Sequence, residues 1–150
     1  MATRPNATGE GRALIYIDLD QFKSVNDRFG HAAGDRLLVA VGERIRGAAR
    51  KCDAVGRVGG DEFLVICPRV ETSAQAVKIA ERVKAATTAT VDVGPGEVEL
   101  RTSIGVAWTT DVIDADAFIA QADNAMYESK REGHKGVTLF ATDRPNGGRA

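Results

Sequence analysis

The chain has 150 residues, enough for one domain with its own core, so neither a disulfide framework nor a structural metal is needed to hold it together. Apolar residues make up 43% and charged residues 27%, a soluble globular mix; 20 basic against 21 acidic residues leave a net charge of −1, which argues against a nucleic-acid partner held by bulk electrostatics. Aromatic residues, at 5%, supply no row of base-stacking platforms, and Cys52 and Cys67 lack metal-ligand spacing.

No apolar run approaches the roughly 20 residues of a membrane span. Met1 to Gly11 has no apolar stretch of the secretory type, so the expected place is the cytoplasm. Residues 1–12, with Pro5, Gly9 and Gly11, read as a flexible arm, and residues 142–150, with Pro145, Gly147 and Gly148, as a matching tail; 13–141 form the domain. Ala13 to Leu19 is a short apolar run with β-branched members, a buried strand. Asp35 to Arg46 places Leu37, Leu38, Val41 and Ile45 on one helical face. Ala54 to Val58 and Glu62 to Cys67 are two strands, with Gly59-Gly60 suited to a two-residue hairpin turn between them. Ser73 is the expected N-cap of a helix carrying Ala76, Val77, Ala80 and Val83. Ala89 to Val93 and Val98 to Trp108 form a second hairpin around Gly94-Pro95-Gly96. Asp114 to Arg131 is a helix with Phe118, Ala122, Ala125 and Met126 inward, and Gly133 stands where a C-terminal cap belongs. Val137 to Phe140 is a last strand. The first six elements match a split β-α-β-β-α-β unit of the ferredoxin-like type, and the class is α/β or α+β with helices flanking one sheet.

Chemistry concentrates in Arg57-Val58-Gly59-Gly60-Asp61-Glu62-Phe63. The glycines permit a tight fold and close approach of a ligand, and two carboxylates follow at a strand start. Adjacent strand residues point to opposite faces, so Asp61 and Glu62 are expected not to share a site: one is a metal ligand, the other has a second role. Taken alone, a plain Gly-Gly turn with solvated acids is the simpler reading. Asp18-Leu19-Asp20 ends the first strand, and alternation puts Asp18 and Asp20 on one face. Carboxylates at a strand end beside a second acidic hairpin suit Mg²⁺, a hard ion that takes oxygen ligands along with substrate phosphates; the bland alternative is a strand ending in a polar loop.

Asp18-Leu19-Asp20-Gln21-Phe22-Lys23-Ser24-Val25-Asn26-Asp27, Phe29-Gly30-His31, Gly34-Asp35 and Gly59-Gly60-Asp61-Glu62-Phe63 stand in order, with Thr102 to Ala107 and Ala122 to Lys130 downstream. Together they resemble the GGDEF domain of diguanylate cyclases, from about Leu14 to Phe140. The resemblance implies a palm-like antiparallel sheet of the nucleotidyl-cyclase type. It also implies condensation of two GTP to cyclic di-GMP and pyrophosphate by two chains facing each other as a homodimer. It makes Asp18, the Leu19 carbonyl and Asp61 ligands of Mg²⁺ (or Mn²⁺), and sets Glu62 beside the attacking 3′-hydroxyl. It puts Gly59 and Gly60 in the substrate loop, Phe22 and Lys23 at backbone that touches phosphate, Asn26 and Asp35 on the guanine base, and Lys130 on the terminal phosphates. A carboxylate accepts from guanine N1–H and N2–H together, so Asp35 favours GTP over ATP. The family's arginine four positions after Lys130 is His134 here, with Lys135 next; a histidine makes no guanidinium fork.

Arg50-Lys51-Cys52-Asp53 resembles the family's Arg-x-x-Asp product-inhibition site, with Arg82 as a second inhibitory arginine. The family opens with Asp-x-Leu-Thr and Leu-x-Asn-Arg segments leading into a long helix, whereas Met1 to Gly11 alone precedes the first strand here. The first family helix is therefore expected to be missing, with apolar surface exposed on one sheet face. Two other readings are a GGDEF-like domain that senses GTP or cyclic di-GMP without turnover, and an interaction domain that only supports dimerisation. Neither nucleic acid nor membrane is an expected partner.

Overall fold

A computed structural model describes residues 10–133 and 136–142. In chain order the elements are β1 (Arg12–Leu19), α1 (Phe22–Phe29), α2 (His31–Ala48), β2 (Ala54–Arg57), β3 (Glu62–Cys67), α3 (Ser73–Ala86), β4 (Thr90–Asp92), β5 (Glu97–Glu99), β6 (Thr102–Thr109), α4 (Ala115–Arg131) and β7 (Val137–Thr142). The main sheet has the order β2-β3-β1-β6-β7. All its pairs are antiparallel except β6–β7, which is parallel.

Strand β1 is apolar on both faces because it sits in the middle of the sheet and is covered on both sides. Ala13, Ile15, Ile17 and Leu19 join the larger core with Leu37, Val41 and Ile45 of α2 and Ala76, Ile79, Ala80 and Val83 of α3. Leu14 and Tyr16 face the other way, into a smaller cluster with Leu64, Ala107 and Phe118, Ala122 and Met126 of α4. The chain is thus an α+β sandwich, with α2 and α3 on one face and α4 on the other.

Several sequence expectations need correction. The stretch after β1 is a helix of its own, α1, too short and too polar to show a long apolar stripe; Val25 is its one fully buried residue. Helix α2 begins at His31 rather than Asp35, because Gly30, at φ +94°, turns the chain between the two helices. The N-cap of α3 is Thr72, not Ser73: its hydroxyl accepts from the Gln75 N–H at 3.0 Å. The long strand expected from Val98 to Trp108 is divided. β4 and β5 alternate exposed and buried residues and pair only with each other, whereas every residue of β6 is buried and the strand lies between β1 and β7. Helix α2 runs on to Ala48, past the expected end at Arg46, and α4 begins at Ala115 with Asp114 as its cap, ending at Arg131 as expected. The Asp114 carboxylate caps α4 by accepting from Ala117 N–H at 2.9 Å, and Gly133, at φ +82°, closes it.

The inner ends of the expected arm and tail are part of the fold instead. The Gly11 carbonyl accepts from Val70 N–H at 2.8 Å, Arg12 opens β1, and Thr142 ends β7 with its hydroxyl bonded to Thr109. Residues 1–9 and 143–150 lie outside the described residues. Beside α4, the face of β3 is open: Leu14, Leu64, Ile66, Val112 and Phe118 line a groove of about 780 Å³. Ile66 is 51% and Val112 74% exposed, so apolar surface does stand open on one sheet face. Among the described residues no helix is long and apolar enough to cross a membrane.

Candidate active site

The register of the sheet brings the acidic residues together. Asp18, at the end of β1, is the cross-strand partner of Glu62, the first residue of β3. Just beyond, the Leu19 N–H donates to the Asp61 carbonyl at 3.0 Å, so the loop before β3 is stitched to the end of β1. One carboxylate oxygen from each of Asp18, Asp61 and Glu62 lies within 4.8 Å of the others. This corrects the expectation that Asp61 and Glu62 face apart. Asp61 precedes the strand, so alternation does not govern it, and both acids reach the same point.

The glycine loop also departs from its expected form. The Val58 N–H donates to the Glu62 carbonyl at 2.9 Å, which leaves Gly59, Gly60 and Asp61 as a three-residue loop. Neither glycine has a positive φ. What they provide is room: a Cβ on Gly60 would meet nothing within 4 Å, and one on Gly59 would stand 3.1 Å from the Glu62 carboxylate. A ligand can therefore approach the backbone there, as the sequence reading required.

Helix α4 delivers the countercharge. Its Lys130 ammonium lies 2.7 Å from Asp18 and 3.7 Å from Asp20. The Ser103 hydroxyl donates to Asp20 at 3.1 Å, so Asp20 is tied to β6 as well. Gly105 makes this approach possible, since a Cβ there would stand 2.0 Å from the Met126 backbone nitrogen. Burial, with Asp18 nearby, pushes the Asp61 carboxyl above the ordinary carboxylate range. The bond to Asp18 holds the Lys130 ammonium above the usual lysine value. Beneath the site, burial pushes Lys84 down while its ammonium donates to the Thr102 carbonyl at 2.8 Å.

Three carboxylates with oxygens within 4.8 Å of one another form an all-oxygen donor set that fits a hard divalent cation such as Mg²⁺. Phe22 and Lys23 occupy the first turn of α1, which no side chain caps. The N-cap residue Gln21 turns its amide elsewhere, donating to the Glu99 carbonyl and accepting from Arg101 N–H at 2.7 Å. The first amides of α1 therefore point at an open end suited to anions. Asn26 packs against Gly34, its buried Oδ1 without a hydrogen-bond partner, and Asp35 is exposed one residue further along α2.

Arg50 and Asp53 also meet, in a tight ion pair of 2.7 Å with the Asp53 side chain fully buried. Arg50 donates as well to the Pro68 and Arg69 carbonyls. Arg82 donates to the Ala48 carbonyl at 3.1 Å, two residues before Arg50. His134 falls outside the described residues. Sequence reasoning passed over Tyr16, whose hydroxyl donates to Glu62 at 2.8 Å, and Gly105. The signal for Tyr16 was its place two residues before Asp18, on the same face of the strand.

The chain is thus an α+β domain with carboxylates clustered at adjacent strand ends beside a short glycine loop. The family model described as "Diguanylate cyclase, GGDEF domain" matches residues 2–136, and the chain belongs to that family. It is 41% identical to the diguanylate cyclase TpbB of Pseudomonas aeruginosa over 93% of this chain and 33% of that protein. It is 36% identical to diguanylate cyclase A of Treponema denticola over 93% of this chain and 39% of that protein. The chain thus spans between about a third and two fifths of the length of these relatives. The crystal structure of the GGDEF domain of TpbB matches with a TM-score of 0.81 and 38% identity, covering 89% of this chain and 84% of that one. The GGDEF domain of DgcB from Caulobacter crescentus, in complex with c-di-GMP, matches with a TM-score of 0.78 and 28% identity over 89% of this chain and 80% of that one.

Proposed function

We propose that this chain is a diguanylate cyclase that joins two GTP into cyclic di-GMP. The observation that carries the reading is the convergence of the Asp18, Asp61 and Glu62 carboxylates, with the Lys130 ammonium on Asp18. In the reaction the 3′-hydroxyl oxygen of one GTP attacks the α-phosphorus of the other. A P–O bond forms, the bond to pyrophosphate breaks and the hydroxyl proton leaves; the same step with roles exchanged closes the ring. Each domain holds one GTP, so the working unit is two chains face to face. Asp18, Asp61 and the Leu19 carbonyl would hold Mg²⁺ or Mn²⁺, which would supply acidification of the 3′-hydroxyl and charge balance for the leaving group. Glu62 orients the 3′-hydroxyl and takes up its proton. The amides at Phe22 and Lys23 hold phosphate oxygens, and the loop at Gly59 and Gly60 leaves space for the nucleotide. Asn26 and Asp35 read the guanine edge, satisfying the acceptor that Asn26 now buries. Lys130 leaves Asp18 for the terminal phosphates once Asp18 has another cation partner.

Cyclic di-GMP acts back on the enzyme at Arg50, Asp53 and Arg82. To bind there it takes over bonds that Arg50 makes to Asp53 and to the Pro68 and Arg69 carbonyls. The test is incubation of the purified chain with GTP and Mg²⁺, then chromatography of the nucleotides. A cyclic di-GMP peak that disappears in Asp61→Ala is expected. GTP or cyclic di-GMP bound without conversion would make the domain a sensor. Absence of any guanine nucleotide binding would leave only a dimerisation role.

A further inference from the structure

Tyr16 lies two residues before Asp18 on β1, so its side chain shares the face that carries the acids. Its ring is 8% exposed and packs among Leu14, Leu64 and Met126 under α4. A phenylalanine would fill that apolar space equally well, and a buried hydroxyl costs about 1–3 kcal/mol unless it is hydrogen-bonded. The hydroxyl has a partner: it donates to Glu62 Oε1 at 2.8 Å. A phenol keeps its proton at neutral pH, so the hydroxyl remains a donor to that carboxylate.

Glu62 needs such a restraint. It stands directly opposite Asp18 across the strand pair, with Asp61 beside it in sequence, so like charges press on its carboxylate from two sides. On the loop side only the missing side chain of Gly59 leaves room, since a Cβ there would stand 3.1 Å from Oε1, so nothing in the loop fixes the carboxylate. A glutamate side chain has several rotamers, and proton transfer from a hydroxyl requires one of them.

We propose that Tyr16 is the positioning residue for Glu62: its hydroxyl occupies one carboxylate oxygen and fixes the side chain, leaving the second oxygen for the substrate 3′-hydroxyl. Tyr16 touches no substrate and acts through Glu62. The proposal rests on the cyclase reading, and two readouts keep the two separable.

The first readout is steady-state turnover of GTP by wild type and Tyr16→Phe. Loss of the hydroxyl is expected to lower kcat about tenfold and to leave KM within about twofold, because binding groups are untouched while the reacting carboxylate is loosened. The second is Mn²⁺ affinity without nucleotide, from the free-ion electron paramagnetic resonance signal, for wild type, Tyr16→Phe, Glu62→Ala and the double variant. Without nucleotide the free Glu62 oxygen faces the cation site of Asp18 and Asp61, so Tyr16→Phe is expected to weaken Mn²⁺ binding several-fold in the wild-type background and to change nothing once Glu62 is gone. Equal weakening in both backgrounds, or none in either, overturns the proposal, as does an unchanged kcat. If the wild type makes no cyclic di-GMP, the cyclase reading fails and the Mn²⁺ cycle alone decides whether Tyr16 acts through Glu62. Thermal melts of all four proteins separate these effects from lost packing, which would act in both backgrounds alike.

Discussion

At Asp61, folding and chemistry pull in opposite directions. Burial and the charge of Asp18 raise its carboxyl, so the folded chain favours the protonated form more than the unfolded chain does. That contribution to stability is fully present below the ordinary carboxylate value and is lost as pH rises through the raised one. At pH 7 the ionised Asp61 is therefore a liability for the metal-free fold. Asp61→Asn keeps the shape and removes the charge. Its melting temperature without metal is expected to exceed that of wild type at pH 7 and to converge with it in acid; Mg²⁺, which raises the wild-type value, should leave the variant unmoved. Melts at two pH values, with and without Mg²⁺, check this, and a lower metal-free value for the variant would count against it. The residue types of this cluster could be read from the chain, because glycines and acids at a strand start restrict the chemistry. The convergence of Asp61 and Glu62 could not, because it depends on where the strand begins, and a shift of one residue reverses every side chain.

Helix α4 illustrates the same boundary at the next scale. Its inward face and its Gly133 stop follow from spacing and cap chemistry. What it packs on does not, because that is decided by Gly105 on a strand far away in the sequence. Gly105→Ala places a Cβ 2.0 Å from backbone that cannot swing aside. A loss of about 1–3 kcal/mol is expected in urea unfolding. A weaker grip on GTP should accompany it, because Lys130 rides on the displaced helix, and binding isotherms would show it. Unchanged stability would mean that the sheet yields instead of α4. Helix α1 escaped the sequence because its polar residues carry no stripe, and the break between β5 and β6 escaped because the burial of β6 on both faces comes from neighbours that the local pattern does not contain.

Across the whole molecule, the two faces of the sheet are unequally closed. One is sealed by α2 and α3; the other is shared between α4 and an open apolar groove. The two cysteines report on this difference in protection. Cys52 is exposed, whereas Cys67 ends β3 in the sealed core with its thiol pushed up to about 12 by burial. A thiol reagent at pH 8 is expected to modify one cysteine per chain at once and the second only at the rate of global opening, read by absorbance with and without denaturant. Two fast cysteines would show that the sealed face opens locally.

Asp18 and Lys130 meet across 112 positions of chain. During synthesis the acidic strand end thus emerges long before the helix that neutralises it. A partly made chain can pair β1 with β3, yet it carries an uncompensated cluster of negative charge at the top of that pair. The arrival of α4 relieves this repulsion, so the site's own electrostatics favour completion of the fold. The acidic cluster is correspondingly left without its lysine partner until α4, the last helix among the described residues, has docked.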